Sequence, residues 1–344
     1  MSGKFRLQHS SPVPGHCPYR LLNPTGQEIP WARQFLDAQC LRGLSPCSLR
    51  IYAYDLLNFV RWWFQSPKRS LAGLNQALLL NYVRYQLSSQ PQPAPRTINH
   101  RLTVLHCLYR FLFGRSISGR PPGVYTSYRT RSPFGYGKTR AAMTGLRLKQ
   151  PRRVVVPLNT QQVAQFWQSF RTFRDLSLAA LMLGNGLRSA ETLSLQLQDA
   201  DLSLGQARVC GKGGKQRILP LPQDTLTTLQ NYLLLERPFT SSPFLFVSLK
   251  GSKRGHPMTS AGLRSLFRHH RRKSRVPLAN PHRLRHTFGS DMVSAGISLP
   301  ALMHLMGHSR IETTMLYVEL SPREVWRQFH LAISKRTQPD PHLP

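Results

Sequence analysis

The chain has 344 residues, with 47 Lys and Arg against 14 Asp and Glu, a formal charge of +33 and a pI near 11.4. At about 150 residues per domain that length predicts two domains, and the 40% apolar content is enough for a buried core in each. Charge this large, spread along the whole chain, argues against an enzyme of small acidic metabolites and against a membrane-surface helix; it points to a polyanion, nucleic acid first.

Residues 1–44 are rich in Pro and Gly and read as an extended N-terminal arm, with a short helix around Trp31 to Ala38. Residues 45–113 read as a small all-helical domain. Its first helix follows a cap at Ser48 and carries Ile51, Tyr54, Leu57, Phe59 and Val60 at helical spacing. A second fits Asn75 to Leu87, and after Pro91, Pro93 and Pro95 break the chain, Thr97 caps a third that runs to Leu112. Trp62, Trp63 and Phe64 are expected in the core or at a protomer contact rather than stacked on bases. Residues 114–156 hold ten Arg and Lys and no acid, with Tyr125, Tyr128, Phe134 and Tyr136 interleaved. That pattern reads as a basic linker, or an insertion, lying along a phosphate backbone.

Order returns over 157–337. Helices fit 160–171, 176–183, a segment starting near Ser189, 260–271, 281–294, 299–306 and 310–318. Two short β runs around Gly211-Lys212-Gly213-Gly214 read as a hairpin, with Phe244–Val247 as a third strand. Val325, Trp326, Phe329 and Ile333 mark a last amphipathic segment, and 338–344 is a tail. The fold class expected is mainly α with a small antiparallel β-sheet. No run approaches about 18 apolar residues, so no spanning helix is expected, and MSGKFRLQHSSPVPG lacks the apolar core of a secretory signal. Five scattered cysteines without CxxC spacing predict neither a disulfide framework nor a zinc site. They suggest a reducing compartment, cytoplasmic and nucleoid-associated.

Four segments carry possible chemistry: Gly186-Leu187-Arg188-Ser189-Ala190-Glu191, Gly211 to Lys215, His282-Arg283-Leu284-Arg285-His286, and Gly307-His308-Ser309 followed by Tyr317. Gly211 to Lys215 has no GxxxxGK[ST] pattern and leads into a strand, where a phosphate-binding loop needs a helix. His282 and His286 are four apart like helical zinc ligands, but Arg283 stands where the glutamate of that motif belongs, and Arg285 repels a cation. No carboxylate cluster suits two-metal phosphoryl transfer. What remains needs no metal or cofactor: arginines, a lysine, histidines and one tyrosine. Guanidinium groups donate paired hydrogen bonds to the non-bridging oxygens of a phosphodiester, and a phenol is able to attack phosphorus and hold it covalently. Its pKa near 10 demands a neighbouring base and cations, while a lysine on a hairpin tip suits protonation of the leaving 5′ oxygen.

These four segments, in this order, resemble the tyrosine recombinases, or phage-type integrases, over most of residues 45–334. The resemblance makes Arg188, in LGNGLRSAE, the first phosphate-binding arginine and Glu191 the acid that supports it. CGKGGKQRILPL is similar to the hairpin of the family's catalytic lysine, favouring Lys212 over Lys215. NPHRLRHTFGSDM gives His282 as the proton-transfer residue and Arg285 as the second phosphate arginine; LMGHSRIETTMLY gives His308 as a phosphate ligand and Tyr317 as the nucleophile. Glu319 stands where many members carry His.

The resemblance implies a site-specific recombinase whose helical core-type DNA-binding domain, 45–113, and tyrosine recombinase catalytic domain, 157–337, clamp a DNA duplex. It would cleave and rejoin strands through a 3′-phosphotyrosyl link without metal or ATP. It would act as a homo-tetramer on recombination sites, with Val325–Ile333 docking on a neighbouring protomer and no membrane partner. A type IB topoisomerase or a telomere-resolving strand transferase would share the chemistry. A DNA-binding protein without catalysis would explain the charge but not the four motifs.

Overall fold

A computed structural model describes residues 4–65, 70–117, 146–150, 156–308, 311–317, 326 and 329–334. The chain divides into two compact units, Met1–Arg152 and Arg153–Pro344. Most of the basic segment 114–156, the tail 338–344 and Glu319 lie outside the described residues. Among the described residues, no helix is long and apolar enough to cross a membrane.

The first unit opens with an antiparallel hairpin, β1 (Arg6–His9) paired with β2 (Tyr19–Leu22). Four helices follow: α1 (Pro30–Leu41), α2 (Pro46–Trp63), α3 (Gln76–Leu87) and α4 (Pro95–Phe113). The described part of the expected arm is therefore folded. Cys17, Leu21, Ile29, Phe35 and Leu36 join Leu56, Phe59, Trp63, Tyr82 and Leu105 in one core. Its two strands, of four residues each, are too short to show a period in sequence, and polar contacts add to the apolar ones that hold them. Asp37 accepts from the Cys17 amide at 2.8 Å and the Arg20 guanidinium at 2.8 Å, and Asn23 accepts from two amides of the turn that leads into α1.

Two caps differ from the sequence reading, and for one reason. Helix α2 is capped by Ser45, which accepts from the Ser48 amide, with Pro46 in the first turn. Helix α4 starts at Pro95, so Thr97 lies inside its first turn. Proline has no amide hydrogen to satisfy and its φ is already helical, so it opens both helices. Trp63 is fully buried, Trp62 packs on Tyr82 at 4.9 Å, and the half-exposed Phe64 stacks on Phe5.

The second unit packs α5 (Thr160–Gln168), α6 (Phe173–Leu183), α7 (Ser189–Ser194), α8 (Gln223–Asn231), α9 (Ser260–Ser274), α10 (Pro281–Ser294), α11 (Leu299–Met306) and α12 (Ile311–Thr314) around a small sheet. The sheet is antiparallel, in the order β3 (Ala200–Asp201), β4 (Gln206–Cys210), β5 (Gln216–Pro220). The expected hairpin is β4–β5, with Cys210 opposite Gln216. The third strand is Ala200–Asp201; Phe244 and Val247 make only isolated bridges, to Gln196 and Pro257. The helix expected over 310–318 is one α turn, Ile311–Thr314, tightening into a 3₁₀ turn over Met315–Tyr317. The core runs from Phe166, Leu178 and Leu181 through Val209 and Leu219 to Phe246 and Phe267. A satellite of Phe288, Leu302, Met306 and Tyr317 sits beneath the site described next.

Candidate active site

The site is assembled where α7 begins, where α10 passes and where α11 ends. Gly186 precedes α7 with φ +64°, and a Cβ there would collide with the Phe288 ring. Only glycine allows this turn. It delivers Arg188 to the N-cap of α7, where the backbone N–H donates to Glu191 Oε2 at 2.9 Å and the guanidinium donates to Oε1 at 2.7 Å. Glu191 is buried and is the hub of the site. Arg217, from β5, donates to both its oxygens, at 3.2 and 2.9 Å, and Arg285 stands 3.9 Å away. Burial alone would raise the Glu191 pKa. Arg217 and Arg188 overcome that and hold it below the usual carboxylate value.

Helix α10 is capped by Asn280, which accepts from the Arg283 amide, with Pro281 in the first turn. One of its faces carries His282, Arg285, His286 and Gly289, at helical spacing. Arg285 is buried; its guanidinium donates to Gly186 O, to Met306 O at 2.7 Å and to His308 Nε2 at 2.8 Å. Burial, then the charge of Arg188, brings its pKa down to about 10, so it stays cationic at neutral pH.

A guanidinium only donates, so His308 accepts at Nε2 and its proton lies on Nδ1, 2.9 Å from Thr314 Oγ. Burial first, and then Arg285, Arg188 and Arg217, lower the His308 pKa to about 4. The expected phosphate ligand thus spends both ring nitrogens inside the protein, holding Arg285 in place. Gly307, at φ +61°, closes α11 just before it; its carbonyl accepts from Arg188 at 3.2 Å.

Tyr317 is 8% exposed and lies over Gly289, where a Cβ would come within 2.8 Å of the phenol ring. Burial raises its pKa, and the charges of Arg285 and Arg188 work against that rise. Its ring lies 5.1 Å from His286 and is stacked parallel to His308 at 6.2 Å. Arg188, Ser189, His282, Arg285, His286, His308, Thr313 and Tyr317 line one cleft of about 470 Å³. Of the residues singled out in sequence, Arg188, Glu191, His282, Arg285, His308 and Tyr317 therefore converge. Lys212 is at the hairpin tip, where Gly213 and Gly214 take positive φ. Its side chain is outside the described part, while the competing Lys215 is exposed. Among the described residues, no group of three His, Cys, Asp or Glu is placed to hold a metal ion; His282 and His286 instead hydrogen-bond each other, Nε2 to Nε2, at 3.0 Å.

Sequence reasoning missed Arg217. The signal was in β5, whose alternation is inverted: Arg217 is 7% exposed and the neighbouring Ile218 60%. An arginine turned inward in a two-faced strand marks a buried carboxylate partner. Thr314, which orients His308, and Gly289, which seats Tyr317, were also passed over. A helical face read through His282, Arg285 and His286 reaches Gly289 next.

A family model described as the Phage integrase family matches residues 157–324, and one described as the Phage integrase, N-terminal SAM-like domain matches 34–116. The chain is 29% identical over 313 residues to Tyrosine recombinase XerC of Chlorobaculum parvum, covering 85% of this chain and 90% of that protein. It is 26% identical over 290 residues to TnP I resolvase of Bacillus thuringiensis, covering 83% of this chain and 94% of that one. In fold it is similar to the Tn1549 transposon integrase in complex with a circular intermediate DNA, with TM-score 0.63 and 17% identity over 88% of this chain and 99% of the other. It is also similar to the XerH site-specific recombinase bound to difH substrate, with TM-score 0.62 and 18% identity over 89% of this chain and 86% of that one.

Proposed function

Because the chain belongs to the phage integrase family of tyrosine recombinases, and so is a DNA strand-breaking and rejoining enzyme, we propose that its cleft takes one backbone phosphate of a DNA duplex and that Tyr317 is the nucleophile. The observation that carries this is the placement of Tyr317 against the same cleft as Arg188 and Arg285. Tyr317 attacks phosphorus in line with the 5′ oxygen, forming a 3′-phosphotyrosyl link and freeing a 5′ hydroxyl. Arg188 and Arg285 bind the non-bridging oxygens, where charge grows in the transition state. His282 takes the phenol proton, and Lys212 protonates the departing 5′ oxygen. His308 and Glu191 hold the two arginines. The phosphotyrosyl bond keeps the free energy of the broken phosphodiester, so a 5′ hydroxyl rejoins the strand without a nucleotide. The topoisomerase and telomere-resolving alternatives are not favoured, because the relatives matched across most of their length are tyrosine recombinases and a TnP I resolvase.

Exchange between two duplexes needs four cleavages, so the working assembly is a homo-tetramer on double-stranded recombination sites. Of the segment Val325–Ile333, the described Trp326 and Phe329 are exposed, and they supply an apolar surface for a neighbouring protomer.

The test is covalent capture. A duplex selected for binding from a random pool is nicked near the bound site and incubated with the protein, and adducts are resolved on a denaturing gel. The wild type forms an adduct; Tyr317→Phe binds the duplex but forms none. An adduct from the Phe variant assigns the nucleophile elsewhere.

A further inference from the structure

We infer that His286 is a positioning residue for this reaction: its Nε2 lone pair accepts the Nε2–H of His282, which leaves Nδ1 of His282 as the nitrogen that exchanges a proton in the cleft. The inference rests on the reading of the cleft given above and deepens it.

The geometry comes first. The two Nε2 atoms are 3.0 Å apart, a distance that fits a hydrogen bond and neither two facing N–H groups nor two facing lone pairs. One proton lies between them. His282 is exposed at the cleft, whereas His286, one helical turn along α10, lines the same cleft but is only 7% exposed. The charged and titratable groups around the pair are Arg283 and Arg285 on α10, Arg188 at the head of α7, and His308 and Tyr317 from the far side of the cleft. Glu191, the nearby carboxylate, is taken up by Arg188 and Arg217. Burial, then His282 and the arginines, lower the His286 pKa to about 4, so its ring is neutral at physiological pH.

A neutral His286 has two tautomers, and the chemistry separates them. If its Nε2 carried the proton, His282 would accept at Nε2 and carry its own proton on Nδ1, leaving no lone pair in the cleft to take a proton unless the His286 bond broke. With the proton on His286 Nδ1, the Nε2–H of His282 stays bonded in both of its charge states. In that arrangement the phenol proton of Tyr317 passes to His282 Nδ1 as the phenolic oxygen bonds to phosphorus and the bond to the 5′ oxygen breaks. Lys212 gives that oxygen its proton, and both protons return on rejoining. The acceptor matters because Arg285, Arg283 and Arg188 all disfavour an imidazolium at His282. The lone pair of His286 offsets part of that cost, as the third member does in other catalytic triads, here without a charge. The same ring also packs on Tyr317, at 5.1 Å.

The experiment has two arms. In the first, the full chain is labelled with ¹⁵N-histidine, and ring nitrogen shifts are read at neutral pH without DNA. His286 Nε2 is expected in the range of an unprotonated nitrogen, and His282 Nε2 in that of a protonated one. A protonated His286 Nε2 overturns the inference. In the second, single-turnover cleavage of the selected duplex is followed against pH for His286→Phe and His286→Gln. The Phe variant keeps the ring on Tyr317 but has no acceptor. Its plateau rate should fall about 10-fold, the order of one hydrogen bond to a charged group, and its acid limb should move to lower pH, because His282 holds its proton less well. The Gln variant keeps an acceptor oxygen and should bring the acid limb back. A Phe variant with the wild-type rate and limb, or both variants slowed alike with the limb unmoved, reduces His286 to packing and overturns the inference. Should the Phe variant fail to fold, the nitrogen shifts and the Gln variant still decide. A wild type that forms no phosphotyrosyl adduct defeats the reading of the cleft instead, and the nitrogen shifts are read regardless.

Discussion

Tyr317 is a poor nucleophile by its own chemistry. Its pKa lies near 10 in water, and burial raises it further. In the proposed reaction the fixed cations counter this, and a second proton problem arises at the other end, since an alkoxide is a poor leaving group. Lys212 is proposed to solve that one, which permits a sharp test. A thiol is far more acidic than an alcohol, with a pKa of about 8.5 in cysteine, so a 5′ sulfur leaves without being protonated. Lys212→Ala should slow cleavage of the ordinary duplex by about 100-fold or more, the usual range for a lost general acid. A duplex with a bridging 5′ sulfur at the cleavage point should be cut by the variant at close to the wild-type rate. Equal losses on both substrates would give the proton to another group, with Lys215 the first to try. The residues legible in sequence were those whose type announces chemistry: Arg188, Glu191, His282, Arg285, His308 and Tyr317 stand in ordered motifs. Their division of labour was not legible. Nothing in GHS foretells that His308 turns one nitrogen to Arg285 and the other to Thr314, because that depends on how α11 meets α10.

The β4–β5 hairpin was readable because its turn glycines and alternating flanks follow from local backbone preference. The N-terminal hairpin β1–β2 was not, since each strand has four residues and the pair is held by contacts with α1 and α2 that no local pattern encodes. Strand β5 holds the more consequential surprise. Arg217 reaches Glu191 with two nitrogens and the Leu305 carbonyl with the third, at 3.0 Å, so it ties the hairpin to the start of α7 and the end of α11. Removing one partner of a buried pair costs about 3–5 kcal/mol, and Glu191 keeps its bonds to Arg188 here, which puts the loss at the low end. Arg217→Met should therefore lower stability by about 3 kcal/mol in denaturant unfolding at pH 7. Ile218→Thr, on the opposite face of the same strand, should change it by less than about 0.5 kcal/mol. The pH dependence has a definite sign. The Glu191 pKa is depressed in the folded state, so its contribution is full above the ordinary carboxylate pKa of about 4.3 and fades as pH falls through the folded value. The gap between wild type and Arg217→Met should close on acidification; a gap constant with pH would mean that Arg217 stabilises by packing alone.

Every described member of the candidate site lies in the second of the two units. In the proposed reaction one cleft breaks one strand, and exchange between two duplexes would depend on contacts between copies. The sequence pointed to the C-terminal segment for that contact by its four-residue spacing, and the alternative was a helix packed on its own unit. Trp326 is 62% exposed and Phe329 55%; they pack on each other and on His330, and neither belongs to a core cluster of the unit. Large aromatics held this open are costly unless a partner covers them. Replacing both by Ser should leave cleavage of a single nicked duplex within about twofold of wild type, because substitutions at exposed positions rarely move stability by more than about 0.5 kcal/mol. The same variant should fail to hold two duplexes in one complex, which sedimentation of labelled DNA would show as loss of the tetramer peak. Retention of that peak would return Trp326 and Phe329 to the surface of a single protomer and place the contact between copies elsewhere on the second unit.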